Sequence, residues 1–216
     1  MPTAISSASG NQNVMPSAPR QSVFFLTGVL AGAASLPVEG TFLSLLTGQP
    51  TYKTGLQHIK THAPAVLGRT GIRFLSFDHI RTYSSQFLHL PTTLCGALGG
   101  AAGGLNEVVL HSLASTRRLP TLNAAVSQSG KLFLCFGSYT YLSTTLSPEQ
   151  LPPKPFWKCW LMGAMAGCVG SGITAAVEGA RRKALLMATV RGTLVVGTVI
   201  SVQVSSCGAV LSGLQL

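Results

Sequence analysis

The sequence predicts an all-α membrane protein in which six transmembrane helices form three pseudo-symmetric two-helix repeats. Three observations lead there. Hydrophobic residues make up 46% of the 216-residue chain and charged residues only 9%, against about 25% charged in an average soluble domain. With a mean hydropathy of +0.41, the chain has too little charge to coat a water-soluble globule. Second, six segments approach the roughly 20 apolar residues that a membrane crossing needs. Third, Gly28-Val29-Leu30-Ala31-Gly32 recurs as Gly96-Ala97-Leu98-Gly99-Gly100 and as Gly163-Ala164-Met165-Ala166-Gly167, at offsets of 96 − 28 = 68 and 163 − 96 = 67 residues. An even period of this kind marks a repeated structural unit.

The first twenty residues hold Ser, Asn, Pro and Ala, with no charged side chain before Arg20, and are expected to form a disordered tail. They have neither the basic-then-apolar order of a secretory signal nor the Arg-rich character of a transit peptide. Residues 21–216 are expected to form one transmembrane domain, with repeats at about 21–90, 91–150 and 151–216. Its apolar segments are Val23 to Leu46, Gly71 to Leu90, Leu94 to Leu113, Leu122 to Leu146, Phe156 to Val177 and Ala184 to Leu214. None sustains the period-two alternation of a β-barrel, and their Gly, Ala and Ser spacing suits closely packed helices. A glycine cluster opens each odd-numbered segment and is followed by an acid: Glu39, Glu107 and Glu178.

Charge sets the expected sidedness. The odd-to-even connections carry Lys53, Lys60, Arg69, Arg117, Arg118, Arg181, Arg182 and Lys183, with Arg191 near their edge, whereas the other side has Arg20, Arg81, Lys154 and Lys158. The positive-inside tendency therefore turns the odd-to-even connections toward the more negative compartment. The formal net charge of +10 suits anionic lipid or anionic ligands. Nucleic acid is not expected, because the bases sit at segment ends without interleaved aromatics.

Within the segments, Glu39, Arg73, Asp78, Glu107, Lys131 and Glu178 each cost about 2.5–3.5 kcal/mol if ionised at a helix centre. Such groups are expected to face the bundle interior, a partner charge or water. Cys95, Cys135, Cys159, Cys168 and Cys207 lack CxxC spacing and read as small packing residues. His58 and His62 stand at i, i+4 but lack the Glu of HExxH and a third ligand, so neither a metal nor another cofactor is expected. With no nucleophile elbow, phosphate-binding loop or carboxylate pair in the chain, an enzyme is not expected.

The repeat resembles the mitochondrial carrier family, in which each of three repeats has two tilted helices joined by a short matrix helix. Pro37 and Glu39 match the start of that family's P-x-[DE]-x-x-[KR] signature, with Phe42 at its basic position. Ala176-Val177-Glu178-Gly179-Ala180-Arg181 keeps both charges without the proline, and Ala114 to Leu119 is the nearest counterpart in the second repeat, with no acid in place. Phe77-Asp78-His79-Ile80-Arg81 fits the cytoplasmic-gate pattern, and Tyr52 to Lys60 is similar to the start of a matrix helix. Arg69 to Asp78 is most similar to the tricarboxylate (citrate) branch, with Leu94-Cys95-Gly96, Gly103 to Val109 and Gln128 to Phe133 as looser matches.

The resemblance implies exchange of tricarboxylates such as citrate for other carboxylates across the mitochondrial inner membrane, by a monomer that alternates access. Several converging cations must then hold two to three carboxylates. Arg73 and Lys131 are the leading candidates, with Arg69 and Arg191 nearer the helix ends, where snorkelling to the interface accounts for them equally well. Glu39, Glu178, Arg181 and Arg182 would belong to the matrix-side gate, and Asp78 and Arg81 to the cytoplasmic-side gate. Two alternatives stay open. One is a transport-inactive relative acting as a structural subunit, motivated by the incomplete signatures. The other is a four-helix translocase-type fold.

Overall fold

The computed structural model describes residues 18–48, 51–146 and 155–213. These form six α-helices: α1 (Ala18–Thr47), α2 (Thr51–Gln86), α3 (Thr92–Thr116), α4 (Leu122–Leu146), α5 (Phe156–Val177) and α6 (Arg182–Gly213). The described residues contain no strand. Most of the expected tail lies outside them, and Ala18 to Arg20 already belong to α1. Four helices, over Arg20–Leu46, Thr92–Thr116, Phe156–Val177 and Arg182–Val210, are long and apolar enough to cross a membrane, which makes this a multi-pass membrane protein. α2 and α4 match them in length and carry more polar residues.

Each helix packs on its neighbours in sequence, and α6 returns to α1, so the six close into a ring. The glycine clusters bring this about. Gly28 and Gly32 of α1 face Thr70 of α2, Gly96 and Gly100 of α3 face Thr140 and Phe136 of α4, and Gly163 and Gly167 of α5 face Gly197 and Val196 of α6. The same pairing thus recurs in three successive helix pairs. A second set faces backwards: Gly99 meets Phe77 of α2, Gly103 meets Arg73 of α2, and Gly170 meets Cys135 of α4. Small residues let helix backbones approach closely where no hydrophobic difference from lipid drives association.

A side chain at these sites must push a neighbour away. A methyl on Gly100 would stand 2.8 Å from Cβ of Phe136 and would also strike the Leu132 carbonyl, whereas one on Gly130 meets nothing within 4 Å. Gly100→Val is therefore expected to cost about 1–3 kcal/mol by overpacking, and Gly130→Ala to be neutral or mildly stabilising. Unfolding of both variants in a dodecyl sulfate titration checks this, and equal midpoints would sink the packing argument.

The outward faces are apolar. On α5, Leu161, Met165, Val169 and Ile173 recur at four-residue spacing and are all exposed, while Cys159, Met162, Gly163, Ala166, Gly167 and Gly170 point inward. This is a lipid-facing stripe backed by a small-residue packing face. At the centre of the ring, Phe74, Phe77, Leu132, Phe136, Val199 and Ile200 form the largest buried cluster. Ring centroids of Phe77 and Phe136 lie 4.6 Å apart and those of Phe74 and Phe136 5.7 Å apart, within the range of favourable aromatic pairs.

The connections differ from the expected matrix helices. Where Tyr52 to Lys60 read as the start of a separate helix, α2 runs unbroken through Pro64 for 36 residues, about 54 Å at 1.5 Å per residue. α3 ends at Arg117, whose left-handed φ of 55° lets its N–H donate to the Leu113 carbonyl, an αL cap. α5 is followed by Gly179 at φ 72°, and α6 starts at Arg182, so the basic run Arg181 to Lys183 straddles a short turn. Arg117, Arg118, Arg181, Arg182 and Lys183 are exposed at this basic end of the ring.

Candidate functional site

The interior charges fall into two layers on either side of the aromatic cluster. Toward the basic end, Lys131 lies nine residues into α4 (131 − 122 = 9) and Arg191 nine into α6 (191 − 182 = 9). Glu39 stands eight residues before the end of α1 (47 − 39 = 8) and Glu107 nine before the end of α3 (116 − 107 = 9). Helical rise puts all four about 12–14 Å in from the helix ends. The long polar side chains therefore meet at one depth.

Their pairings link helices far apart in sequence. Arg191 donates from Nη2 to Glu39 Oε1 at 2.9 Å, tying α6 to α1. Arg73 donates from Nε to Glu107 Oε2 at 2.9 Å and from Nη2 to the same oxygen, tying α2 to α3. Gln128 Nε2 donates to that carboxylate at 3.1 Å, which adds α4. Ser127 donates to Glu178, linking α4 to α5. Every helix but α5 thus enters a link in this layer; the Ser127 contact with Glu178, just past the end of α5, lies at the exposed basic end. Lys131 is half-buried, lies within electrostatic range of Arg73, Arg191 and Glu107, and makes no hydrogen bond or ion pair among the described residues.

At the opposite end, Arg20 donates from Nη2 to Asp78 Oδ1 at 3.0 Å. The Asp78 side chain is only 2% exposed, and among the described residues its Oδ2 has no partner, nor has Arg20 Nε. Arg81 does not pair with Asp78; its guanidinium carbon sits 6.0 Å from the Phe77 ring centroid, a cation–π distance. Between Arg81 and the aromatic cluster lies a cavity of about 250 Å³, bounded by α1, α2, α3, α4 and α6 and floored by Phe74, Phe77 and Phe136. Residues near the helix ends, Thr92, Thr144 and Gly208, line it too, so it reaches toward the end opposite the basic turns.

Arg73, Lys131 and Arg191 were expected to line a water-filled path. The structure brings them together on three even-numbered helices, beneath the aromatic cluster and outside this cavity. Arg69 turns its Nε to the Ala65 carbonyl of its own helix at 3.0 Å, while its charge lies within electrostatic range of Glu107. Arg181 and Arg182 are exposed and form no ion pair with Glu178 among the described residues. Ala114 to Leu119 holds no acid, and the acid of α3 that pairs with a base is Glu107. Its offset from Gly96 (107 − 96 = 11) equals that of Glu39 from Gly28 (39 − 28 = 11), which is the signal that locates it.

Sequence reasoning did not find Arg20 as the partner of Asp78, nor Gln128 and Ser127 as bridges, nor Gln203 in the cavity wall. Such polar residues carry no motif and gain meaning only from what packs against them. The His58 side chain lies outside the described residues, and among those described no three His, Cys, Asp or Glu side chains converge as metal ligands. Compared with family models, curated proteins and solved structures, the chain matches none.

Proposed function

We propose that this protein is a carrier of small carboxylate anions that works by alternating access, with six membrane-crossing helices in three two-helix repeats of the mitochondrial carrier type. The observation that carries the reading is the cation layer. Arg73, Lys131 and Arg191 come one from each even-numbered helix, at spacings of 131 − 73 = 58 and 191 − 131 = 60 residues. Two are held by Glu107 and Glu39 of odd-numbered helices, and the third is unpaired among the described residues. A substrate with two or three carboxylates can replace both glutamates on the guanidiniums and take up Lys131 as well. Doing so releases the links that tie α6 to α1 and α2 to α3, which opens the basic end only when substrate is bound. Tricarboxylates such as citrate suit three converging cations. Residence in the mitochondrial inner membrane follows from the resemblance alone.

Labelled-citrate exchange in proteoliposomes tests this. Lys131→Ala is the cleanest variant, because its removal leaves no acid orphaned. Exchange that requires an internal anion and falls by at least about tenfold in Lys131→Ala, the loss of a charged hydrogen bond, is the expected outcome. A folded wild-type protein that exchanges no carboxylate overturns the reading. Such a result, with stable co-purification in a stoichiometric complex, favours the second reading, a structural subunit. The observation behind that reading is that none of the three odd-to-even connections holds a separate surface helix among the described residues. Cysteine accessibility distinguishes six crossings from four: residues 119 and 179 should label from one side and residue 89 from the other.

A further inference from the structure

At the end opposite the basic turns, a second pocket of about 310 Å³ opens between the start of α1, the end of α2 and the start of α3. Arg20 and Arg81 line it with Thr82, Ser85, Gln86 and Thr92, and its lining holds no acid and no aliphatic or aromatic side chain. Asp78 takes up only one of the two positive charges. Its Oδ1 accepts from Arg20 Nη2 at 3.0 Å, and the enclosed carboxylate is not part of the pocket wall. Arg20 Nε is enclosed as well, which leaves Nη1 of a side chain 33% exposed to meet a ligand. Arg81 is exposed and makes no hydrogen bond or ion pair among the described residues. Thr82 and Ser85 donate to no carbonyl among them, whereas Thr27, Thr70, Thr140 and Thr174 each donate to the carbonyl four residues back, the usual local partner of a helix hydroxyl.

From this pocket we infer a binding site for a phosphate group, either free phosphate or the headgroup of a lipid. One guanidinium fork saturates the two oxygens of a carboxylate. Two guanidiniums on different helices, with hydroxyls from α2 and α3 beside them, are more donors than a single carboxylate can use. A phosphate group has three strong acceptor oxygens that point apart and a charge of about −1.5 to −2. With Asp78 held by Arg20, the charge of Arg81 is left for the anion. The pocket lies by the helix ends, where the membrane surface meets water, so both sources of phosphate reach it. Arg73, Lys131 and Arg191 are not in its lining, and the inference does not rest on transport.

Equilibrium dialysis of radiolabelled inorganic phosphate against the full chain in dodecyl maltoside, a detergent without phosphate, tests it. Saturable binding is expected, about tenfold weaker in Arg81→Gln, which loses a charged hydrogen bond, and weaker by a smaller factor in Ser85→Ala. Both substitutions fall on exposed side chains, so the variants should fold. Soluble dihexanoyl phosphatidic acid as competitor separates the two sources. Displacement below the concentrations at which unlabelled phosphate competes assigns the pocket to a lipid headgroup, and displacement only at or above them assigns it to free phosphate. Absence of saturable binding overturns the inference. So does affinity unchanged in Arg81→Gln; a loss in Lys131→Ala instead would then place the phosphate in the cation layer. Because binding is read without flux, failure here and failure of citrate exchange are separate results.

Discussion

Phe136→Ala is expected to destabilise the protein by about 3–5 kcal/mol, the usual loss for a buried phenylalanine truncated to a methyl, and to let anions leak through the ring. Phe136 is only 3% exposed, and its ring contacts Phe74 and Phe77. Together the three rings separate the cavity beside Arg81 from the cation layer around Lys131. Truncation removes those contacts and opens the barrier between the cavity and Lys131. Unfolding in dodecyl sulfate reads the first effect, and anion efflux from proteoliposomes without external counter-substrate reads the second. A variant that unfolds like wild type and stays tight would show that another part of the ring is the barrier. Phe136→Leu keeps most of the volume and should fall between the two.

Glu107→Leu should cost a similar amount, about 3–5 kcal/mol, because removing one partner of a buried ion pair strands the other. The Arg73 and Glu107 side chains are 16% and 12% exposed, and Gln128 also loses its acceptor. The double variant Arg73→Met with Glu107→Leu should recover most of the loss, since an apolar pair of similar volume needs no compensating charge. Comparing the two single variants with the double in one unfolding cycle gives the coupling directly. Additive single effects would mean that the pair is not coupled. Glu39→Leu offers an internal comparison: Arg191 is 60% exposed and can turn to water, so the loss there should stay within about 1 kcal/mol.

These two pairs also mark how far local sequence carries. α4 and α5 begin and end where their apolar segments do, at Leu122, Leu146, Phe156 and Val177, because hydropathy and helix length are properties of consecutive residues. α2 shows the opposite. Tyr52 to Lys60 and the apolar segment from Gly71 read as two pieces, yet the helix runs unbroken through Pro64. Packing against α1 and α3 holds the rest of the helix in place, and proline propensity is a weak prior against tertiary context.

The charges divide along the same line. That Arg73, Lys131, Glu107 and Asp78 must face inward was legible from their sequence positions alone, since an ionised group in an apolar segment is too expensive to leave facing lipid. Which acid meets which base was not. Asp78 pairs with Arg20 and not Arg81, and Arg73 with Glu107, across separations of 58 and 34 residues.

Local sequence is thus enough for a helical membrane chain, the inward direction of its charges and the glycine faces along which its helices approach. All of these follow from composition and periodicity over a few turns. The closed ring, the aromatic cluster inside it and the pairing of Asp78 with Arg20 arise from packing across the whole chain. Each depends on the relative rotation and depth of helices that meet from distant parts of the chain, and packing sets those through contacts that no local pattern records.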